Sequence, residues 1–166
     1  MRGGVGRVVA RSALARFTRD ERATLEPLGG GLINETWLFT AASERGVLQH
    51  LNPLFPPRIN ADIDTVTSHL ATCGHPTPRV LPTLEGELWC DLGEGGVWRA
   101  LSYVDGVTLS RPDHPGTVFE AGALLGRFHG CLAGLDHEFS FVREGVHDTD
   151  HHLDRLDHLR ATEAVV

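Results

Sequence analysis

Residues 29–37 read Gly-Gly-Gly-Leu-Ile-Asn-Glu-Thr-Trp, a run of three glycines that leads directly into an apolar, β-prone segment. Successive residues without a Cβ can adopt positive φ and let backbone N–H groups approach a ligand closely, the geometry that binds phosphate oxygens. The same composition also suits a tight hairpin turn without any ligand. The segment therefore predicts a strand, a turn and a second strand, and it leaves both interpretations of the turn open.

The composition around this segment indicates a globular chain with an acidic surface. The 166 residues are 41% apolar, enough for the core of one domain or slightly more. The net charge of -7 excludes the basic surface that nucleic acids and anionic membranes require, so we expect neither as a partner. All fifteen Lys and Arg residues are Arg, and the sequence contains no Lys.

The cysteines and the N-terminal residues are used to predict the cellular compartment of the protein. Cys73, Cys90 and Cys131 are odd in number and far apart, which favours a reducing compartment over a disulfide scaffold, and hence the cytoplasm. Arginines interrupt every apolar run near the N-terminus that could form a signal peptide or a membrane span. An organelle transit peptide remains an alternative to the amphipathic helix that we predict from Val8 to Leu25.

Short apolar runs predict an antiparallel sheet in the first two thirds of the chain. The runs cover residues 25–28, 35–41, 46–51, 79–81, 87–92 and 97–104. We expect five strands to share one sheet. Between the third and fourth runs, the apolar spacing from Ile59 to Cys73 predicts a helix that ends at Gly74.

A second long helix is predicted beyond the polar, Pro-rich stretch that ends at Pro115. Its apolar stripe runs from Val118 to Leu135, while glycines recur every four residues from Gly122 to Gly134. Each interior glycine costs about 1 kcal/mol relative to Ala in a helix. We therefore expect the glycine face to suit close packing against a neighbour that is missing here, and we expect the isolated chain to self-associate in its absence.

The C-terminal region is dense in His and Asp. On a helix His151, Asp154 and His158 would share one face, at a spacing that a transition metal could use. The neighbouring charges equally suit a solvated surface helix with an N-cap at Asp148 or Thr149. We assign no metal ligand here.

Four motifs in this order resemble the aminoglycoside phosphotransferase and choline-kinase-like family. They are Gly29–Trp37, Val47–Asn52, Trp98–Leu101 and Leu125–His129. Within the family the likeness is to the branch of N-acetylhexosamine 1-kinase and homoserine-kinase-like proteins, and it covers residues 25–159. The resemblance implies an α+β, protein-kinase-like fold. Its parts would be an N-terminal helix (1–24), a nucleotide-binding small lobe with a five-stranded antiparallel sheet and hinge (25–105), and the first helices of a truncated large lobe (106–166).

The resemblance also implies an activity and a set of site residues. The activity is ATP- and Mg²⁺-dependent transfer of a phosphoryl group to a hydroxyl of a sugar, amino alcohol or amino acid. The residues over the ATP phosphates would be Gly29, Gly30, Gly31, Leu32 and Asn34, and the hinge that meets the adenine would be Tyr103, Val104 and Asp105.

The chain departs from the family pattern at the phosphate-binding lysine. Kinase-like sites place this Lys on the third strand, paired with an acidic residue of the following helix. Because no Lys is present, His50 or Gln49 would take its place, and Asp62, or alternatively Asp64, would be the acidic partner.

The catalytic loop departs from the pattern as well. In this fold an Asp accepts the substrate proton, and an Asn five residues later holds a metal ion. No Asn follows Asn60, so we assign no catalytic residue and expect the Mg²⁺ ligands outside this chain. We therefore expect the sequence to be the front half of a kinase. The alternative is a complete, non-catalytic remnant that binds nucleotide weakly or acts as an interaction module.

Overall fold

The computed structural model describes residues 3–29, 33–42, 44–112, 114–143, 145–146 and 148–163. Its helices are α1 (Gly3–Leu14), α2 (Ile59–Thr72), α3 (Pro115–Leu132) and α4 (Thr149–Glu163). Its strands are β1 (Thr24–Pro27), β2 (Glu35–Thr40), β3 (Arg45–His50), β4 (Val80–Leu81), β5 (Cys90–Asp91) and β6 (Val97–Ser102). The predicted α+β architecture is confirmed.

The strands form one antiparallel sheet in the order β1-β2-β3-β6-β4, and β5 pairs with β6 beyond this path. The sheet therefore has six strands where five were expected. The fourth and fifth runs each form a separate short strand, β4 and β5, and each of these strands has only two residues. Both pair with β6, which makes β6 a central strand.

Helix α1 covers one face of this sheet. Alternate residues of the strands point toward it, and the shared core includes Leu14, Phe39, Leu48, Trp98 and Ala100. The helix ends at Leu14, well before the predicted Leu25. The reason is visible at Asp20, whose carboxylate accepts hydrogen bonds from the backbone N–H groups of Arg22 and Ala42 and fixes this segment as a loop.

Helix α2 agrees closely with the predicted Ile59–Cys73 helix and lies against the opposite face of the sheet. Asn60, in its first turn, accepts a hydrogen bond from Arg99 of β6. From α2 the chain returns through β4, β5 and β6 and then continues into α3. Helix α3 packs against α2, so that α2 lies between the sheet and α3.

The predicted absence of disulfides is wrong in the structure, where Cys73 is bonded to Cys131. The pair forms because the ends of α2 and α3 lie side by side, a proximity that 58 residues of separation conceal in the sequence. Cys90 is a free, buried thiol, and burial raises its pKa to about 11. The cysteines therefore give no support to a reducing compartment.

The glycine face of α3 meets no neighbour among the described residues. A Cβ atom added at Gly122, Gly126 or Gly130 would meet nothing within 4 Å in the part of the chain that the structure describes. The helix begins as a capped helix should, because Pro115 occupies its first turn and His114 Nδ1 accepts a hydrogen bond from the Gly116 N–H. Among the described residues, no helix combines the length and the apolar composition that crossing a bilayer requires.

Candidate nucleotide-binding site

The glycine-rich segment connects β1 to β2 as a hairpin. The two strands pair from Thr24 opposite Thr40 to Pro27 opposite Trp37, and the Leu28 N–H donates to the Thr36 carbonyl at 2.8 Å. The connecting turn thus lies where the sequence predicts it. Gly30, Gly31 and Leu32 lie outside the described residues.

Asn34 ties the end of this turn to the segment that follows β3. Its Oδ1 accepts a hydrogen bond from the Asn52 N–H at 3.0 Å, and Asn52 Nδ2 donates to the Ile33 carbonyl at 3.3 Å. Thr36 Oγ1 donates to the Asn34 carbonyl at 3.3 Å. The Asn34 side chain therefore positions the turn through its own contacts, a role that its place in the motif did not reveal.

The two candidates for the missing lysine lie on opposite faces of the sheet. His50 is opposite Trp98 on the α1 side, with 4.8 Å between their ring centroids. Its ring also packs against Gly96, where an added Cβ would lie 2.2 Å from His50 Nε2. Gln49 is on the α2 side, because neighbouring residues of a strand alternate between faces. Of the two, only Gln49 lies on the face that carries the lysine in kinase-like sites.

Asp62 does not pair with His50 as predicted. Its carboxylate is buried, and it accepts hydrogen bonds from His137 Nε2 at 2.9 Å, Ser140 N–H at 3.1 Å and Ser140 Oγ at 2.7 Å. Burial by itself would raise the pKa of Asp62, but the bonds from Ser140 and His137 outweigh it and hold the pKa below its ordinary value. The ionised carboxylate thus joins α2 to the segment after α3.

A polar row crosses the α2 side of the sheet on three adjacent strands. Thr36, Gln49 and Arg99 are paired in register across β2, β3 and β6. Gln49 Nε2 donates to Thr36 Oγ1 at 3.3 Å, and Arg99 Nε donates to Gln49 Oε1 at 2.9 Å. Arg99 Nη1 then donates to Oδ1 of the fully buried Asn60 at 3.2 Å. The row runs from the base of the glycine turn to α2.

Arg99 is the site residue that sequence reasoning missed. It lies within the quoted motif Trp98–Leu101, and the alternation of β6 was enough to place it opposite in direction to the apolar Trp98. Burial lowers the pKa of its guanidinium. The structure thus puts a cation next to Gln49, one of the two candidates for the missing lysine.

The predicted hinge follows β6 directly. The Tyr103 N–H donates to the Arg45 carbonyl at 3.2 Å, and the Arg45 guanidinium lies 4.2 Å above the Tyr103 ring. Arg45 Nη1 also lies 3.1 Å from Asp105 Oδ1, in an exposed ion pair. Val104 is exposed, and within the described chain its backbone N–H has no hydrogen-bond partner. A hinge residue that binds adenine needs such an available backbone group.

The metal interpretation of the C-terminal region gains no support. His151, Asp154 and His158 lie on the exposed helix α4 and form no ligand cluster among the described residues. Asp148 Oδ1 accepts a hydrogen bond from the His151 N–H, as the alternative of a capped surface helix requires. The cluster with metal-ligand spacing is His69, Cys73 and Cys131, whose two sulfur atoms form the disulfide.

A small antiparallel sheet, a glycine-rich hairpin and a helix behind the third strand define a kinase-like phosphotransferase fold. The family model described as the phosphotransferase enzyme family (APH) matches residues 24–164, and the chain belongs to this family. This confirms the family that the four motifs predict, without distinguishing its branches.

A solved structure described as the microcompartment-associated aminopropanol kinase is similar to this chain. The sequences are 18% identical, the TM-score is 0.60, and the match covers 82% of this chain and 43% of that one. At this identity the likeness shows the fold alone. The chain spans less than half of the length of that kinase.

Proposed function

We propose that this chain is the nucleotide-binding part of an ATP-dependent small-molecule kinase, which transfers a phosphoryl group to a hydroxyl of a sugar, amino alcohol or amino acid. The observation that carries the proposal is the family match over residues 24–164. The sequence motifs favour the branch of N-acetylhexosamine 1-kinase and homoserine-kinase-like proteins. The name of the aminopropanol kinase makes an amino alcohol the first of these acceptors to test.

The phosphates would lie under the turn between β1 and β2. Gly29, Gly30, Gly31 and Leu32 would offer backbone N–H groups, while Asn34 holds the end of the turn through Asn52. A Cβ atom at Gly29 would meet nothing within 4 Å among the described residues, so these residues leave space there. These residues orient the phosphate chain, and orientation is the larger part of catalysis in phosphoryl transfer.

The adenine would lie beside an apolar row of the sheet. Leu38, Val47 and Leu101 are paired in register on the same face as the polar row, one step nearer to the hinge. Apolar side chains beside a few polar groups are typical of nucleotide pockets. Tyr103, Val104 and Asp105 would close this end, with the Val104 backbone facing the base.

The Mg²⁺ that accompanies ATP finds no matching ligand pair in this chain. The carboxylate of Asp62 is already bonded to His137 and Ser140, and no Asn follows Asn60. Kinases of this fold hold Mg²⁺ with an Asp and an Asn of the large lobe. We therefore derive no step through the metal from these residues, and the proposal for this chain concerns nucleotide binding.

Calorimetric titration of ATP into the purified chain tests the proposal. Gly30→Trp should abolish binding, because the indole would fill the space over the phosphates. Gly122→Val, on the open face of α3, is the matched control and should bind ATP as the wild type does. Absence of ATP binding by the wild type, or unchanged binding by Gly30→Trp, contradicts the proposal.

Sequencing the transcript past the codon for Val166 then separates the two functional alternatives. An in-frame continuation with an Asp, an Asn at the catalytic spacing and a later metal-binding Asp supports a kinase. A stop codon directly after Val166 supports a nucleotide-binding module that does not catalyse.

Self-association through the glycine face of α3 is the remaining part of the proposal. The face is open within the described chain, and small residues let a second backbone approach closely. Light scattering should then detect an oligomer that Gly126→Leu disrupts. A monomer at all accessible concentrations contradicts it.

A further inference from the structure

Arg99 carries a charge that has no anionic partner among the residues that the structure describes. The side chain is half-buried on the α2 side of the sheet, and both of its described hydrogen-bond partners are neutral amides. No carboxylate in the described part of the chain forms an ion pair with it. A cation withdrawn from water without an anionic partner is costly, so the site favours an anion from outside the protein.

The geometry of the guanidinium leaves donors for such an anion. Of its five N–H groups, Nε–H is used by Gln49 and one N–H of Nη1 by Asn60. Among the described side chains, the only buried nitrogen or oxygen atom without a partner is Arg79 Nε. Arg99 Nη2, which has no hydrogen-bond partner among the described residues, is therefore open to solvent. The two amides hold the planar group in place and leave its Nη2 edge free.

The position of Arg99 connects it to the glycine turn. Its hydrogen bond to Gln49 continues through Thr36 to the Asn34 carbonyl, at the end of that turn. Gln49 itself occupies the strand position where kinase-like sites have their lysine. The neighbouring strand thus presents a cation at the place where β3 presents a neutral amide.

We infer that Arg99 binds the phosphate chain of the nucleotide, and that the cationic anchor of this site comes from strand β6 instead of strand β3. The inference rests on the proposed function. A guanidinium fork suits phosphate oxygens as well as an ammonium does, and it can form two parallel hydrogen bonds. Gln49 and Asn60 act as positioning residues that orient the fork.

Arg79 is the competing candidate on the same side of the sheet. It is half-buried too, and its Nη2 donates to Ser68 Oγ at 2.6 Å. However, Arg79 precedes β4, and its backbone pairs with Ser102 at the hinge end of β6. It has no hydrogen-bonded connection to the glycine turn within the described chain. We therefore use it as the matched control.

The test compares the binding of ATP and of adenosine to Arg99→Gln and Arg79→Gln by calorimetry. We expect Arg99→Gln to bind ATP roughly 10- to 100-fold more weakly, the range for lost charged hydrogen bonds. Adenosine, which has no phosphate, should bind with unchanged affinity. Arg79→Gln should keep the wild-type affinity for both, and Arg99→Lys should recover part of the loss because it restores the charge.

A measurement on the unmodified chain keeps the inference testable if Arg99→Gln does not fold. Phenylglyoxal modifies accessible guanidinium groups, and peptide mass spectrometry reports each arginine separately. ATP should protect Arg99 from modification while adenosine does not, and the protection of Arg79 should be the same with either compound.

The outcomes separate this inference from the proposed function. If the wild type binds neither ATP nor adenosine, the proposed function fails and the inference with it. If the wild type binds ATP, and Arg99→Gln binds it equally well or Arg79→Gln shows the loss instead, the inference alone is overturned.

Discussion

The sheet region and the two C-terminal helices differ sharply in how many of their side chains are buried. Phe39, Leu48 and Ala100 of the sheet are completely buried beneath α1. Helix α3 has no buried residue, and Phe119 and Leu125 on it are 73% and 54% exposed. Within the described chain, therefore, the sheet and α1 have a core of their own, whereas α3 and α4 depend on contacts with other parts.

The contacts of α3 and of the segment directly after it converge on α2. Cys73, directly after the helix, is bonded to Cys131; Asp62 binds His137 and Ser140. Arg58, the residue before α2, donates to the Ser140 carbonyl at 3.0 Å. The two regions are therefore joined by a few specific bonds and by little apolar burial. Such bonds can be removed one at a time.

The largest effect should come from the core of the sheet. Phe39→Ala should lower the free energy of unfolding by about 3–5 kcal/mol, because it removes a completely buried ring and leaves a cavity. Phe119→Ala, the matched change on α3, should stay within about 0.5 kcal/mol. Urea denaturation measures both. Equal losses of unfolding free energy in the two variants would mean that α3 has a core of its own. The difference in burial between the two regions would then not determine their stability.

The disulfide should give the next largest effect. Cys73→Ser should lower the free energy of unfolding by about 2–4 kcal/mol, since the cross-link between residues 58 apart restricts the unfolded chain. A reductant should lower the stability of the wild type but not of the variant. If the reductant has no effect on the wild type, the two helices are joined by other contacts.

Asp62→Asn should cost about 1–3 kcal/mol at neutral pH, because it weakens the bonds of a buried carboxylate to His137 and Ser140. The pKa of Asp62 is lower in the folded than in the unfolded chain. Its contribution is therefore complete above the unfolded value, about 3.9, and is lost as the pH falls through the folded value.

Measuring the free energy of unfolding as a function of pH tests whether the contribution of Asp62 is lost toward low pH. The stability difference between the wild type and Asp62→Asn should be constant near neutrality and shrink below about pH 4. Asp64→Asn is the matched control on the same helix. A difference that grows toward low pH would contradict the assignment of a lowered pKa.

The architecture could be predicted because it follows from local patterns. Alternation and turn chemistry located the hairpin around the glycines, and helical spacing located α2 from Ile59. The four motifs predicted the phosphotransferase family, which the match over residues 24–164 confirms. Each of these signals lies within one segment of the chain.

The contacts between segments could not be predicted in the same way. The partners of Asp62 are more than seventy residues away, and so the sequence offered His50 as the nearer candidate. The disulfide was missed for the same reason. The face of His50, in contrast, could have been predicted: alternate residues of a strand share a face, and His50 lies two residues after Leu48, which belongs to the core.

The smallest expected effect belongs to the predicted hinge. Asp105→Asn should change the free energy of unfolding by about 0–1 kcal/mol, because the Asp105 side chain is 87% exposed and its ion pair with Arg45 is screened by water. A double-mutant cycle with Arg45→Gln, repeated at high salt, isolates the pair from the contact of Arg45 with Tyr103. A coupling well above 1 kcal/mol that survives salt would mean that the hinge is held as firmly as the contacts of α2.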